Sequence, residues 1–291
     1  MNTNLKIKKR RTILWSSVAI YTFSLPYAII IYDLITLRWS PEFAGLVPRL
    51  ILFMAGVAYI FYSIKADLPL KKIFFLIPCI IISCLIIYLE PNPNKHIHIP
   101  EYVLMTWLLF EAIRIDYKGA GIFLLVFFCS SSFGVLDEIL QGIHPSRYYG
   151  WQDMLTNSSS SLIGILSLIG LRGNQGKSWN WINQLKRMRG LLSIALLGIL
   201  STAVSCSMLF DVKYYRGFWS AYPDLLIAWN AIFVLIIPIA LRVLYRHTMQ
   251  DAGKPENQEI TAALCVLLAL IIILIINVVI VSSRVAGVPF Q

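Results

Sequence analysis

Nine stretches of mostly apolar residues follow one another along the chain, at 12–35, 43–64, 72–89, 98–116, 119–141, 152–171, 190–210, 222–244 and 260–282. Most approach or exceed the roughly 20 residues that a helix needs to cross a bilayer at 1.5 Å rise per residue. Segment 72–89 is short, and segments 98–116 and 152–171 are the most polar. These last two still count as helices, because the loops beside them are too short for a soluble excursion. The pattern predicts an all-α fold, a polytopic transmembrane helix bundle of about nine spans. It divides the chain into two N-terminal helices (1–71), a four-helix domain (72–171), a linker (172–189) and three C-terminal helices (190–291). Pro26 is expected to kink the first helix, and Pro41 and Pro48 mark the start of the second. The internal repeats of many transporters are not visible.

Composition agrees with this pattern. Hydrophobic residues make up 58% of the 291 positions and charged residues only 14%, where a soluble domain averages about 25% charged. The net charge of +10 raises the question of nucleic acid. Most lysines and arginines fall in short loops between apolar segments, which suits membrane topology and argues against a nucleic-acid partner. With a cytoplasmic N-terminus, 18 of the 25 basic residues lie on the inner side. That bias predicts an N-in, C-out bundle.

The basic start K6-I-K-K-R-R11 followed by an apolar run has the look of a signal peptide. The run is too long for that and lacks a small-x-small cleavage site, so it reads as a retained first helix. The cysteines Cys79, Cys84, Cys129, Cys206 and Cys265 all lie inside apolar segments. They signal neither a disulfide framework nor a zinc site.

Polar residues interrupt three of the apolar segments, and a polar residue in hydrocarbon needs a reason. His98 and Tyr102 are spaced i,i+4, with Glu101 beside them. Asp137 and Gln141 are i,i+4, and Glu138 and Gln141 are i,i+3. Asp153 and Asn157 are i,i+4, with Ser161 and Gly164 continuing that side. Each helix thus carries a polar stripe. In the expected topology all three stripes sit at the outer leaflet. Ser130, Ser131, Ser132, Gly134 and Ser158 to Ser161 are small enough to let the helices approach closely. His96 and His144 read as solvated loop histidines, and Asn277 as a lone polar residue able to bond a neighbour. Glu111 and Arg114 read as an i,i+3 pair at the inner face. The aromatic loop 211–223 reads as an interfacial belt or as a lid over the site.

At these residues the chain resembles the VanZ-like family, over roughly residues 72–171. That family carries a Lys, a His three positions on and a Tyr four beyond, matched by Lys95, His98 and Tyr102. Its Asp-Glu-x-x-Gln helix end is matched by Asp137, Glu138 and Gln141, and its Pro-x-Arg loop by Pro145 and Arg147. An Asp six residues after the Arg and an Asn four further on are matched by Asp153 and Asn157. Two positions depart from the pattern: Asn94 stands where the family often has Asp, and Ser160 where it usually has Gly. The resemblance implies a multi-pass protein of the bacterial plasma membrane, linked to resistance to teicoplanin-type glycopeptide antibiotics. It carries over no catalytic assignment.

Four kinds of chemistry fit this set. Acid–base catalysis on a lipid-linked or headgroup substrate would use His98, Glu138 or Asp153, with Arg147 holding a phosphate. A binding pocket without chemistry would take a membrane lipid, a lipid-linked envelope precursor or a lipoglycopeptide tail, through Lys95, His98, Tyr102, Asp137, Glu138, Gln141, Arg147, Asp153 and Asn157. A divalent cation on His98 and the carboxylates is a third reading, although no cofactor and no metal is expected. The fourth is a clamp that fixes helix packing, with Arg147 neutralising Asp137 or Asp153.

Overall fold

The computed structural model describes residues 3–115, 121–143, 149–172, 181–211, 224–250 and 257–285, and every regular element among them is helical. The chain forms two compact units, residues 1–134 with 152–176, and residues 135–151 with 177–291. Eight helices are long and apolar enough to cross a membrane.

The first unit opens with α1 (Thr3–Ser24) and α2 (Ala28–Arg38), joined by a 3₁₀ turn at Leu25–Tyr27. Pro26 occupies that turn, where its missing N–H and fixed φ interrupt the helical hydrogen-bond ladder. Helix α3 (Pro41–Lys65) starts on a Ser40 cap, whose Oγ accepts from Phe43 N at 3.2 Å, with Pro41 in the first turn. The short α4 (Leu70–Ile73) and α5 (Leu76–Leu89) follow, and a 3₁₀ turn at Pro93–Ile97 leads into α6 (His98–Ile113). Gly45 of α3 lets that turn approach: a Cβ at Gly45 would lie 2.7 Å from Pro93 Cβ.

Helix α6 is the core of this unit. Ile99, Tyr102, Met105, Thr106, Leu109, Phe110 and Ala112 have no solvent exposure. Its 16 residues span about 24 Å, short of a hydrocarbon core about 30 Å thick. A helix sheathed in protein need not match that thickness, so α6 is absent from the eight long apolar helices.

Helix directions follow from side-chain contacts. Tyr21 donates to the Glu101 carbonyl at 3.0 Å and Arg10 donates to Glu111 at 3.2 Å, so α1 and α6 run antiparallel. The unit also contains α8 (Trp151–Arg172), apart from Trp151, and the first part of α7 (Gly121–Ile143). Ser130 of α7 contacts Thr106 and Ser161 through their hydroxyls, and a Cβ on Gly134 would meet Asn157 and Tyr102. Helices α6 and α8 therefore run parallel and α7 runs opposite to both. This alternation is what three successive crossings of one layer require. Counting α6 as non-spanning would also spread the basic residues almost evenly over both sides.

In the second unit α10 (Arg189–Asp211), α11 (Asp224–Gln250) and α12 (Asn257–Val285) pack around Leu191, Ala195, Phe233, Ile237, Ala240, Leu270 and Ile273. The short α9 (Trp181–Leu185) precedes them. Asn230 donates to Ser205 Oγ at 3.0 Å, a buried tie between α11 and α10 that the apolar reading of these helices did not include. Asn277 bonds its own helix, donating to the Ile273 carbonyl at 2.6 Å.

Candidate functional site

One end of the first unit gathers the polar residues of the 3₁₀ turn, α6 and α8. Lys95 Nζ lies 2.8 Å from Asp153 Oδ1 and 3.8 Å from Glu90 Oε2. The Asp153 side chain is 6% exposed and that of Lys95 31%, so the pair reaches from the interior toward the surface. His98 Nδ1 lies 3.2 Å from Glu101 Oε2, both side chains nearly buried. Neither the His98 Nδ1 contact nor the Asp153 Oδ1 contact has the alignment of a hydrogen bond. Both are Coulombic contacts, and their strength depends on how little water reaches them.

Below this layer Tyr102 and Asn157 are fully buried. Asn157 Nδ2 points to the Gly134 carbonyl at 3.4 Å, a weak contact, and Asn157 Oδ1 has no partner. Glycine is required at two crossings here. A Cβ at Gly134 would sit 2.8 Å from Asn157 Cβ, and a Cβ at Gly164 would sit 2.7 Å from Thr106 Cβ.

A line of hydroxyls ties the three helices together. Thr106 Oγ1 donates to the Tyr102 carbonyl at 2.7 Å and meets Ser130 Oγ at 3.0 Å. Ser130 meets Ser161 Oγ at 2.8 Å, and Ser161 donates to the Asn157 carbonyl at 2.9 Å. Three hydroxyls thus supply three protons to four contacts. Both ends of the line are carbonyls, which accept and cannot pass a proton on. The line holds the helices together and does not conduct protons.

In the second unit Gln141 Nε2 donates to Asp137 Oδ2 at 3.0 Å, one turn apart on α7. Gly150 N donates to Glu138 Oε2 at 3.2 Å. Asp137, Glu138 and Gln141 are all buried. Pro145, Arg147 and His144, and all of the aromatic loop 211–223 except Asp211, lie outside the described residues.

The structure thus brings Lys95, His98, Tyr102, Asp153 and Asn157 to one end and middle of the first unit. It groups Asp137, Glu138 and Gln141 in the second. His96 departs from its expected solvated loop position: it is 1% exposed, with Nε2 2.9 Å from the Glu90 carbonyl. The 3₁₀ turn folds the ring inward, where a loop reading leaves it in water. Glu90 was not expected as a second partner of Lys95; its place at the end of α5, before a Pro-x-Pro turn, was the available signal. Thr106, Ser130 and Ser161 are more than small packing residues, since their hydroxyls meet. No family model, curated protein or solved structure matches the chain.

Proposed function

We propose that this is a VanZ-like protein of the bacterial plasma membrane that binds the polar head of an envelope lipid, a lipid-linked peptidoglycan precursor or a lipoglycopeptide. The observation that carries the reading is the Lys95–Asp153 ion pair, with Glu90 beside it, set at the end of a membrane bundle. Such groups are costly there without a use. Among the described residues at this end, the carboxylates Glu90, Glu101 and Asp153 outnumber Lys95. That balance favours a ligand rich in donors, such as sugar hydroxyls, amides or an ammonium group. The buried Asn157 Oδ1 supplies one more acceptor.

Two other readings have their own support. The hydroxyl line from Thr106 to Ser161 favours a packing clamp. The His98–Glu101 contact favours an envelope-lipid hydrolase or transferase, with His98 as base. The test is glycopeptide susceptibility of cells carrying His98→Gln or Asp153→Asn, with membrane abundance measured in parallel. Normal abundance with lost resistance supports a working site. Full resistance in both stable variants removes it.

The proposal includes an orientation. Arg10, Arg114 and Arg172 gather at the end of the first unit opposite Lys95, close enough to act on one another's charge. The positive-inside rule then puts that end in the cytoplasm and Lys95 outside. Topology reporters at Lys71 and Asn94 are expected on opposite sides. The same side for both would mean that α5 does not cross.

A further inference from the structure

The cytoplasmic end of the first unit in this orientation carries a second polar group, distinct from the one around Lys95. Glu111 Oε2 lies 2.6 Å from Arg114 and 3.2 Å from Arg10, so two guanidinium groups converge on a single carboxylate oxygen. Arg114 also stacks over Phe110, its guanidinium carbon 5.7 Å from the ring centroid. Arg172 closes the last turn of α8, near enough that its charge and that of Arg10 both act on Arg114. Arg10 is 57% exposed, whereas Arg114 and Glu111 are about a quarter exposed.

Arginines at helix C-termini offset the helix dipole, and that accounts for one cation at each end. It does not account for three guanidinium groups, from three helices, around one carboxylate. Glu111 neutralises one of them, leaving a surplus of two positive charges whose mutual repulsion an anion would relieve. Guanidinium groups grip phosphate oxygens through paired N–H bonds. Basic pockets between helices on the cytoplasmic side are where anionic headgroups settle. Ile7 and Ile13 flank Arg10 on the same stripe of α1 and are about half exposed, which offers apolar surface beside the charges.

We propose that Arg10, Arg114 and Arg172 form a binding site for the phosphodiester group of an anionic membrane phospholipid. The test is native mass spectrometry of the full-length protein offered phosphatidylglycerol and phosphatidylcholine in equal amounts. Phosphatidylglycerol is expected to be retained preferentially, by about five-fold for each arginine engaged, with the preference shrinking as ionic strength rises. Arg114→Gln with Arg172→Gln should bring the preference close to one, while Lys186→Gln, in the second unit, leaves it unchanged. If the glutamine variant fails to accumulate, Arg114→Lys with Arg172→Lys keeps the charge but loses the planar fork, and should lower the preference several-fold. Equal retention of the two lipids by the unaltered protein overturns the proposal. So does a full preference in either double variant, and so does release of the bound lipid by millimolar inorganic phosphate, which would mark a general anion site. Glycopeptide susceptibility plays no part in this readout, so it stands or falls apart from the site at Lys95.

Discussion

Lys95→Gln is expected to lower both the melting temperature and the membrane abundance of the protein, and Asp153→Asn in the same chain is expected to restore most of the loss. The single change leaves Asp153 nearly buried without its cation, with two further carboxylates, Glu90 and Glu101, at the same end. Breaking a buried pair in this way costs about 3–5 kcal/mol. The Lys95 side chain is nearly a third exposed, so the lower part of that range applies. The double variant has no unpaired charge and regains stability. Its activity then separates the readings: a stable double variant without resistance points to a working site, and a stable double variant with full resistance to a clamp. Identical melting of Lys95→Gln and the unaltered protein would show that the pair adds nothing to the fold.

Gly164→Val is expected to be still more damaging. Even a single Cβ would stand 2.7 Å from Thr106 Cβ, 2.9 Å from its Cγ2 and 3.0 Å from its Oγ1. Thr106 cannot move aside without leaving Ser130 and the Tyr102 carbonyl. Helices α6 and α8 must part, which undoes the hydroxyl line as well as the packing. Overpacking alone costs about 1–3 kcal/mol, and each lost hydroxyl bond adds about 0.6 kcal/mol in a membrane bundle. Gly56→Ala is the control. Nothing lies within 4 Å of a Cβ there, so alanine should be neutral or raise stability by up to about 1 kcal/mol through helix propensity. Melting of the two purified variants checks both statements. A Gly164→Val protein as stable as Gly56→Ala would mean that the seam between α6 and α8 is loose.

Much of this architecture was legible in the sequence, because apolar runs and short loops leave few alternatives to crossing helices. The break at Pro26 could be read from one residue, since a proline ring removes a donor wherever it falls. The grouping of Lys95, His98, Tyr102, Asp153 and Asn157 followed from helical spacing once α6 and α8 were taken as helices. The partners within the group did not follow. Asp153 has Lys95 as its cation, while Arg147, the expected partner, falls outside the described residues. Sequence spacing reports neighbours along one helix and says little about which side chains meet between helices. The burial of His96 was hidden for a related reason: a polar turn between two helices reads as solvent-exposed unless its backbone path is known. The roles of Thr106, Ser130 and Ser161 were hidden because a small hydroxyl in a membrane helix looks the same whether it bonds its own backbone or a neighbour.

The sheathing of α6 bears on how the chain is made. A helix released singly into lipid must offer an apolar exterior, and polar groups near its centre weigh heavily against partition. Helix α6 carries His98, Glu101, Thr106 and Glu111 along only 16 residues, and the hydroxyl that meets Thr106 belongs to α7, with Ser161 of α8 next in line. It cannot settle in the bilayer on its own account and must wait at the insertion machinery until α7 and α8 have been synthesised. These three helices therefore enter the membrane as one cooperative package, and α1, already in place, serves as the wall against which the package docks.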